Sequence, residues 1–214
     1  MQPGESIRTK KTARTREQLV DATERLMCDG GLSNLTTQRV ARECGVAEGT
    51  IYRHFASREE LVVTTLRERL PGEFQPHIDA LMERAGRMDV EGNLRDFITA
   101  IAPLFSVIAP ILGMLAADPT LAARNAAALR ADGGGPHRLV DRIANYFREE
   151  QRLHRIPSEV DTRTAASILV SFCFYRSLML HLFGDDPTRL SDSELPKALA
   201  AIVGRAVTDT SPIA

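Results

Sequence analysis

The stretch LTTQRVARECGVAEGTIYRHFASREEL, residues 35–61, decides how the chain is read. It opens on a threonine pair, Thr36 and Thr37, either of which can cap a helix by accepting a backbone N–H from its first turn. Val40, Ala41 and Cys44 then recur at helical spacing, marking the inner face of a short helix that Gly45 ends. A second short helix is predicted from about residue 47 to residue 55. At about 100° per residue, Ala47, Ile51 and Phe55 share one narrow apolar stripe, and Gly49, Thr50, Tyr52 and Arg53 lie on the other sides. Ser57 and Glu60 then form an S-x-x-E capping box ahead of Leu61, Val62 and Leu66, so a further helix begins there. Two short helices joined by a tight turn, the second with a thin core stripe, make a helix-turn-helix.

In that motif the second helix lies in the major groove of DNA, and its core stripe is thin because most of its surface faces the duplex. The outward residue types fit. Arg53 can bond guanine edges or phosphate, and Thr50 can bond phosphate or a base or touch a thymine methyl. Tyr52 offers a hydroxyl to a phosphate, and Gly49 lets backbone approach the groove. Thr36 and Thr37 stand where helix N–H groups and the helix dipole favour another phosphate.

From about residue 16 to residue 66 the chain resembles the N-terminal domain of the TetR family of transcriptional regulators. The resemblance rests on the threonine pair, the following Ala41, Gly45-Val46, Gly49-Thr50-Ile51-Tyr52, His54-Phe55, and Arg58 ahead of Glu60-Leu61. It implies that Thr36 or Thr37 is the phosphate-contacting cap and that Gln38 reads a base. It implies that Glu48, Gly49, Thr50 and Arg53 face bases, while Tyr52 and His54 contact the DNA backbone. Arg58 takes the usual lysine place and would meet a phosphate. Glu48 departs from the pattern, because a carboxylate repels phosphate. It either accepts from a cytosine N4 amine or orients Arg53, the second being favoured.

Outward from this stretch, helical periods continue and no segment alternates with period two. Further helices are predicted over about 15–29, 74–85, 93–117, 119–129, 137–153, 161–183 and 193–207. Breaks are expected at Gly30-Gly31, Pro71-Gly72, Gly133-Gly134-Gly135-Pro136 and the loop GDDPTRLSD. The expected fold class is all-α, with about nine helices. A three-helix DNA-binding domain with a helix-turn-helix (15–60) precedes a larger helical ligand-binding and dimerisation domain (61–214). Residues 1–14 read as a disordered basic arm. Arg8, Lys10, Lys11, Arg14 and Arg16 face Glu5 alone over the first sixteen residues, as a solvated terminus or as an arm that touches a polyanion.

At 214 residues, 43% hydrophobic and 26% charged, the chain has material for a substantial core, and its net charge of -1 excludes a protein basic all over. Cys28, Cys44 and Cys173 lack metal-site spacing, and Cys28 and Cys44 read as small core residues in a reducing compartment. No cofactor or metal is expected. The N-terminus carries no secretory h-region, so a cytoplasmic location is expected. Residues 97–117 are uncharged and long enough to span a membrane, but Pro103 and Pro110 interrupt them and Asp96 and Asp118 flank them. They are read as buried helix, kinked or broken at the prolines, with no membrane contact. No nucleophile elbow, P-loop or dinucleotide fingerprint points to an enzyme.

The resemblance further implies a homodimer through helices 161–183 and 193–207, on a palindromic operator of double-stranded DNA. It implies a pocket for an unknown small-molecule effector, largely apolar, whose binding releases a repressor. An activator or a ligand-independent DNA-binder of the same fold is the alternative. Candidate walls are Phe97, Ile101, Leu104, Phe105, Ile108, Leu112 and Met114 on one side, and Phe172, Tyr175, Arg176 and Met179 on the other. Tyr175, Arg176 and His181 are polar groups in an apolar helix, costly unless paired, and either orient a ligand or bond within the protein.

Overall fold

A computed structural model describes residues 3–30, 32, 35–135, 137–186 and 188–208, with side chains from Thr12 onward, Cys28 excepted. Met1 and Gln2 of the expected arm, the side chains of Arg8, Lys10 and Lys11, the apolar-face placement of Cys28 and the helix start at Pro136 lie outside the described residues. The described residues are helical throughout their regular structure, with no strand. The elements are α1 (Pro3–Gly30), α2 (Thr37–Glu43), a short 3-10 helix η1 (Glu48–Arg53), α3 (Arg58–Glu83), α4 (Val90–Ala117), α5 (Pro119–Ala131), α6 (His137–Arg152), α7 (Thr162–Phe183) and α8 (Leu195–Thr208).

Three expectations need correction. The backbone is helical from Pro3, so the stretch expected to be a disordered arm continues α1. α3 runs without a break through Pro71-Gly72, and α4 through Pro103 and Pro110. A proline removes one helix hydrogen bond and frees the carbonyl four residues back. In α4 the affected turns sit where Pro103, Thr99 and Ser106 are exposed, so water can take those carbonyls. Pro71, Gly72 and Pro76 are exposed in the same way on α3.

The chain divides into two compact units, one within 1–71 and 110–128, the other within 72–109 and 129–214. The boundaries fall inside α3, α4 and α5, because continuous helices carry the chain from one unit to the other. Leu19, Val20, Leu35, Val40, Ile51, Phe55, Leu61 and Val62 fill the core of the first unit. Ion pairs tie α1 to α3 there. Arg16 meets Glu68 at 2.5 Å, and Arg69 meets Glu17, Asp21 and Glu24. In the second unit α6 packs on α7 and α7 on α8, around Leu94, Ile98, Ile101, Ile143, Phe147 and Leu169. Both α4 and α7 are long and apolar enough to cross a membrane. They nevertheless supply buried core residues, among them Phe97, Ile111 and Cys173.

The helix ends follow the local chemistry. Asp118 caps α5 by accepting Leu121 N–H at 2.9 Å, ahead of Pro119 at the first helical position. Asp161 caps α7 through Thr164 N–H at 2.9 Å. The α3 capping box forms: Ser57 Oγ accepts Glu60 N–H at 3.1 Å, while Glu60 reaches back to Ala56 N–H at 2.6 Å.

Candidate nucleic-acid interface

Thr36 is the cap of α2. Its backbone is extended and its Oγ1 accepts Arg39 N–H at 3.2 Å. The helix closes in a Schellman arrangement, with Val46 N–H donating to the Ala41 carbonyl at 3.0 Å and Gly45 N–H to the Arg42 carbonyl at 3.1 Å. This needs a left-handed residue, and Gly45 supplies it at φ +65°. The turn thus sets the angle at which the next element leaves.

That element, η1, is wound more tightly than an α-helix. Thr50 N–H bonds the Ala47 carbonyl at 2.8 Å and His54 N–H the Ile51 carbonyl at 2.9 Å. Residues three apart therefore eclipse. Glu48, Ile51 and His54 form the inward column, Ile51 fully buried and the other two half-buried. Gly49 and Tyr52 form an exposed column, and Thr50 and Arg53 a third, with Arg53 exposed. Ala47, expected on the inner stripe, is exposed, because it precedes η1 as its cap with an extended backbone and does not share the helical phase. Phe55, just past η1, is buried, with the Arg16 guanidinium 5.5 Å from its ring centre.

The winding also settles where Glu48 points. Its carboxylate accepts the Thr37 hydroxyl at 2.5 Å, joining η1 to α2. It does not hold Arg53, whose guanidinium carries no hydrogen bond or ion pair among the described residues. Arg58 likewise turns to the protein, donating from Nε to the Leu35 carbonyl and from a terminal nitrogen to the Leu32 carbonyl, both at 2.8 Å. It pins the connection ahead of α2, and its lesser pairing is with Glu59 at 3.5 Å. Arg25 with Glu43 at 2.9 Å and the Cys44 thiol on the Gln18 carbonyl at 3.2 Å fix α2 to α1.

The structure therefore brings Gln38, Gly49, Tyr52 and Arg53 together as exposed groups, with Thr36 exposed at the helix start and Thr50 and His54 half-exposed. A methyl group at position 49 would find nothing within 4 Å, so packing does not demand glycine there. Tyr52, at 54% exposure, leaves an aromatic ring in solvent.

The residues expected to wall an effector cavity divide. Phe97, Ile101, Phe105 and Ile108 are buried, and Phe105 meets Phe74 edge-on at 5.7 Å. Leu104, Phe172 and Met179 are half-buried, while Leu112 and Tyr175 are exposed. Arg176 is buried and committed within the protein. It donates to Asp186 at 2.6 Å, to Asp192 at 2.9 Å and to the Leu190 carbonyl at 3.1 Å, holding the α7–α8 loop. Burial raises the Asp186 carboxyl, but hydrogen bonds from Thr188 and the Arg176 cation outweigh it and hold the group below its ordinary value. A lowered folded value means that this carboxylate stabilises above its unfolded pKa and loses that effect as pH falls through the folded one. Acid unfolding below about pH 4 should thus be shallower in Asp186→Asn than in the wild type, as followed by circular dichroism.

One polar cluster escaped the sequence reading. Asn93, Tyr146 and Glu150 are fully buried in the second unit. Asn93 Nδ2 donates to the Tyr146 oxygen at 3.0 Å and to the Arg84 carbonyl at 3.2 Å. Burial raises the Tyr146 phenol well above its usual range, and the nearby Glu150 adds to the shift, so the phenol stays neutral. Glu150 pairs with Arg155 at 3.3 Å and accepts Gly86 N–H at 3.4 Å. The signal was present: Glu150 falls at i+7 and i+3 from the apolar Ile143 and Phe147 of α6. Burial also raises the thiols of Cys44 and Cys173, the latter to about 12, so neither is a thiolate near neutrality.

A family model described as bacterial regulatory proteins, tetR family, matches residues 19–64. The fatty acid metabolism regulator protein of Bacillus subtilis (strain 168) is 29% identical over 105 residues, 49% of this chain and 47% of that protein. The HTH-type transcriptional regulator TtgR of Pseudomonas putida is 32% identical over 95 residues, 44% of each. In these matches the chain spans less than half the length of its curated relatives. Among solved structures, a protein of Mesorhizobium loti assigned to the TetR-family transcriptional regulators superposes with a TM-score of 0.67 at 19% identity, covering 91% of this chain and 96% of that one. FadR of Bacillus subtilis in complex with stearoyl-CoA gives a TM-score of 0.56 at 14% identity, covering 89% and 98%. At these identities the structural likeness speaks to the fold.

Proposed function

This chain belongs to the TetR family of transcriptional regulators, and on that premise we propose that it is a homodimeric repressor that binds a palindromic operator and leaves it when a small, largely apolar effector binds. The observation that carries the DNA-reading part is the exposed group of Gln38, Gly49, Tyr52 and Arg53 around a six-residue helix held by Ile51. Arg53, free of protein partners among the described residues, is the base reader in this reading. Thr50 shares its column, and Tyr52 and His54 meet the DNA backbone. Thr36 presents the start of α2 to a phosphate. Arg58, Thr37 and Glu48 act from behind, by holding α2 and η1 in register.

Dimerisation through α7 and α8 is supported by apolar side chains that a lone subunit leaves in water. Ile168, Leu182, Phe183 and Ile202 are all more than half exposed. A groove of about 280 Å³ between these helices is lined by Val160, Ala165, Val203 and Val207 among others. A two-fold pair places two recognition elements roughly 34–36 Å apart, or a multiple of that. An apolar effector is supported by the apolar run of α4, and by the ligands of similarly folded regulators, stearoyl-CoA in FadR and triclosan in SmeT. The reading requires no membrane and no chemical reaction, and it places the protein in the bacterial cytoplasm.

The direct test of the DNA-reading role is Arg53→Ala. Operator affinity should fall by about 1–3 kcal/mol while affinity for random duplex stays nearly unchanged, as measured by fluorescence anisotropy at fixed salt. An equal loss on both DNAs would mean that Arg53 touches phosphate alone.

A further inference from the structure

Backbone hydrogen bonding changes partner just past η1. His54 N–H and Phe55 N–H both donate to the Ile51 carbonyl at 2.9 Å, the last bonds of the tight winding. The next amide, Ala56 N–H, goes instead to Glu60 Oε2 at 2.6 Å, in the capping box that starts α3. Ala56 is therefore the joint between the DNA-reading element and the long helix, and the Glu60 side chain closes it. A carboxylate has a second oxygen, and rotation about its last bond is soft. Here the second oxygen is engaged as well. Glu60 Oε1 accepts from a terminal nitrogen of Arg124, 64 residues on in α5.

Both residues belong to the first compact unit. α5 is rich in alanine, and its buried residue is Leu121, whose amide Asp118 caps at 2.9 Å. Arg124 lies one turn on, on the same side of the helix, and reaches the start of α3. The two side chains are 55% and 22% exposed, so the pair adds little to stability. What it fixes is geometry. With each oxygen engaged by a different donor, the Glu60 carboxylate is held in one orientation, and the cap on Ala56 with it. We propose that Arg124 is a positioning residue for operator binding: by holding the Glu60 carboxylate against Ala56 N–H, it fixes the joint at which η1 meets α3, and so the placement of Tyr52 and Arg53. The inference rests on the DNA-reading role above and adds to it a residue outside the helix-turn-helix.

The test compares Arg124→Ala, Arg124→Lys, Glu60→Gln and the Arg124→Ala/Glu60→Gln pair in the full-length protein. The operator is the motif recovered by genomic selection, and a random duplex of the same length is the control. Arg124→Ala should weaken operator binding about two- to fivefold, by fluorescence anisotropy at fixed salt, and leave the random duplex unchanged. In the DNA-free protein, NMR should show faster exchange of the Ala56 amide with water at an unchanged urea midpoint. Arg124→Lys should recover most of the operator affinity, and Arg124→Ala added to Glu60→Gln should cost nothing further. Unchanged operator affinity in Arg124→Ala would overturn the proposal. So would an equal loss on both duplexes that persists beside Glu60→Gln, which would make Arg124 a phosphate contact. A lowered urea midpoint with Ala56 exchange unchanged would overturn it too, leaving the pair as a stabilising contact alone. A wild type unable to tell operator from random duplex would instead sink the DNA-reading role, and the Ala56 measurement would stand apart from it.

Discussion

Glu150→Ala is expected to lower the unfolding free energy by about 3–5 kcal/mol, measured as a drop in the urea midpoint. The carboxylate is fully buried, pairs with Arg155 at 3.3 Å and accepts the Gly86 amide, beside the Tyr146 phenol that takes the Asn93 amide. Its removal leaves the Arg155 cation without its counter-charge and the Gly86 amide without its acceptor. Glu150→Gln keeps the acceptor oxygen and loses the charge, so its cost should be smaller. A cost under about 1 kcal/mol for the alanine variant would mean that the cluster is solvated in solution.

Ile51→Ala is expected to cost about 2–5 kcal/mol in the DNA-binding unit, with Ile51→Val nearer 1. Ile51 is the one fully buried side chain of η1, in line with Glu48 and His54. Beside it, the Glu48–Thr37 hydrogen bond ties this short element to α2. The alanine variant should therefore lose operator binding before it loses the helices of the second unit, a sequence visible by hydrogen exchange. Operator affinity unchanged in Ile51→Ala would show that DNA alone can fold η1.

Much of this was legible in the sequence where a residue type has one physical use. Gly45 announced the end of α2, Ser57 and Glu60 announced the start of α3, and the Gly45–Phe55 pattern announced the motif. What misled was the assumption of α-helical phase from residue 47: η1 starts only at Glu48 and winds as a 3-10 helix, which leaves the extended Ala47 out and turns Glu48 in. Prolines misled too, because a helix tolerates them where water can reach the freed carbonyl, and exposure is not written in the sequence. The roles of Arg58 and Arg176 were hidden for a related reason. Each cation finds its partners in loops whose course the chain does not reveal locally: the Leu32 and Leu35 carbonyls for Arg58, Asp186 and Asp192 for Arg176.

As a repressor, the protein would read a specific DNA sequence through η1 from a two-fold dimer. Selection of bound fragments from the source genome by the purified protein tests it most directly. Enrichment of one inverted-repeat motif is expected, with half-site centres about 10 bp apart or a multiple, and loss of the bases read at one position of each half-site in Arg53→Ala. Recovery of fragments with no shared motif, bound with an affinity that follows salt alone, would contradict it.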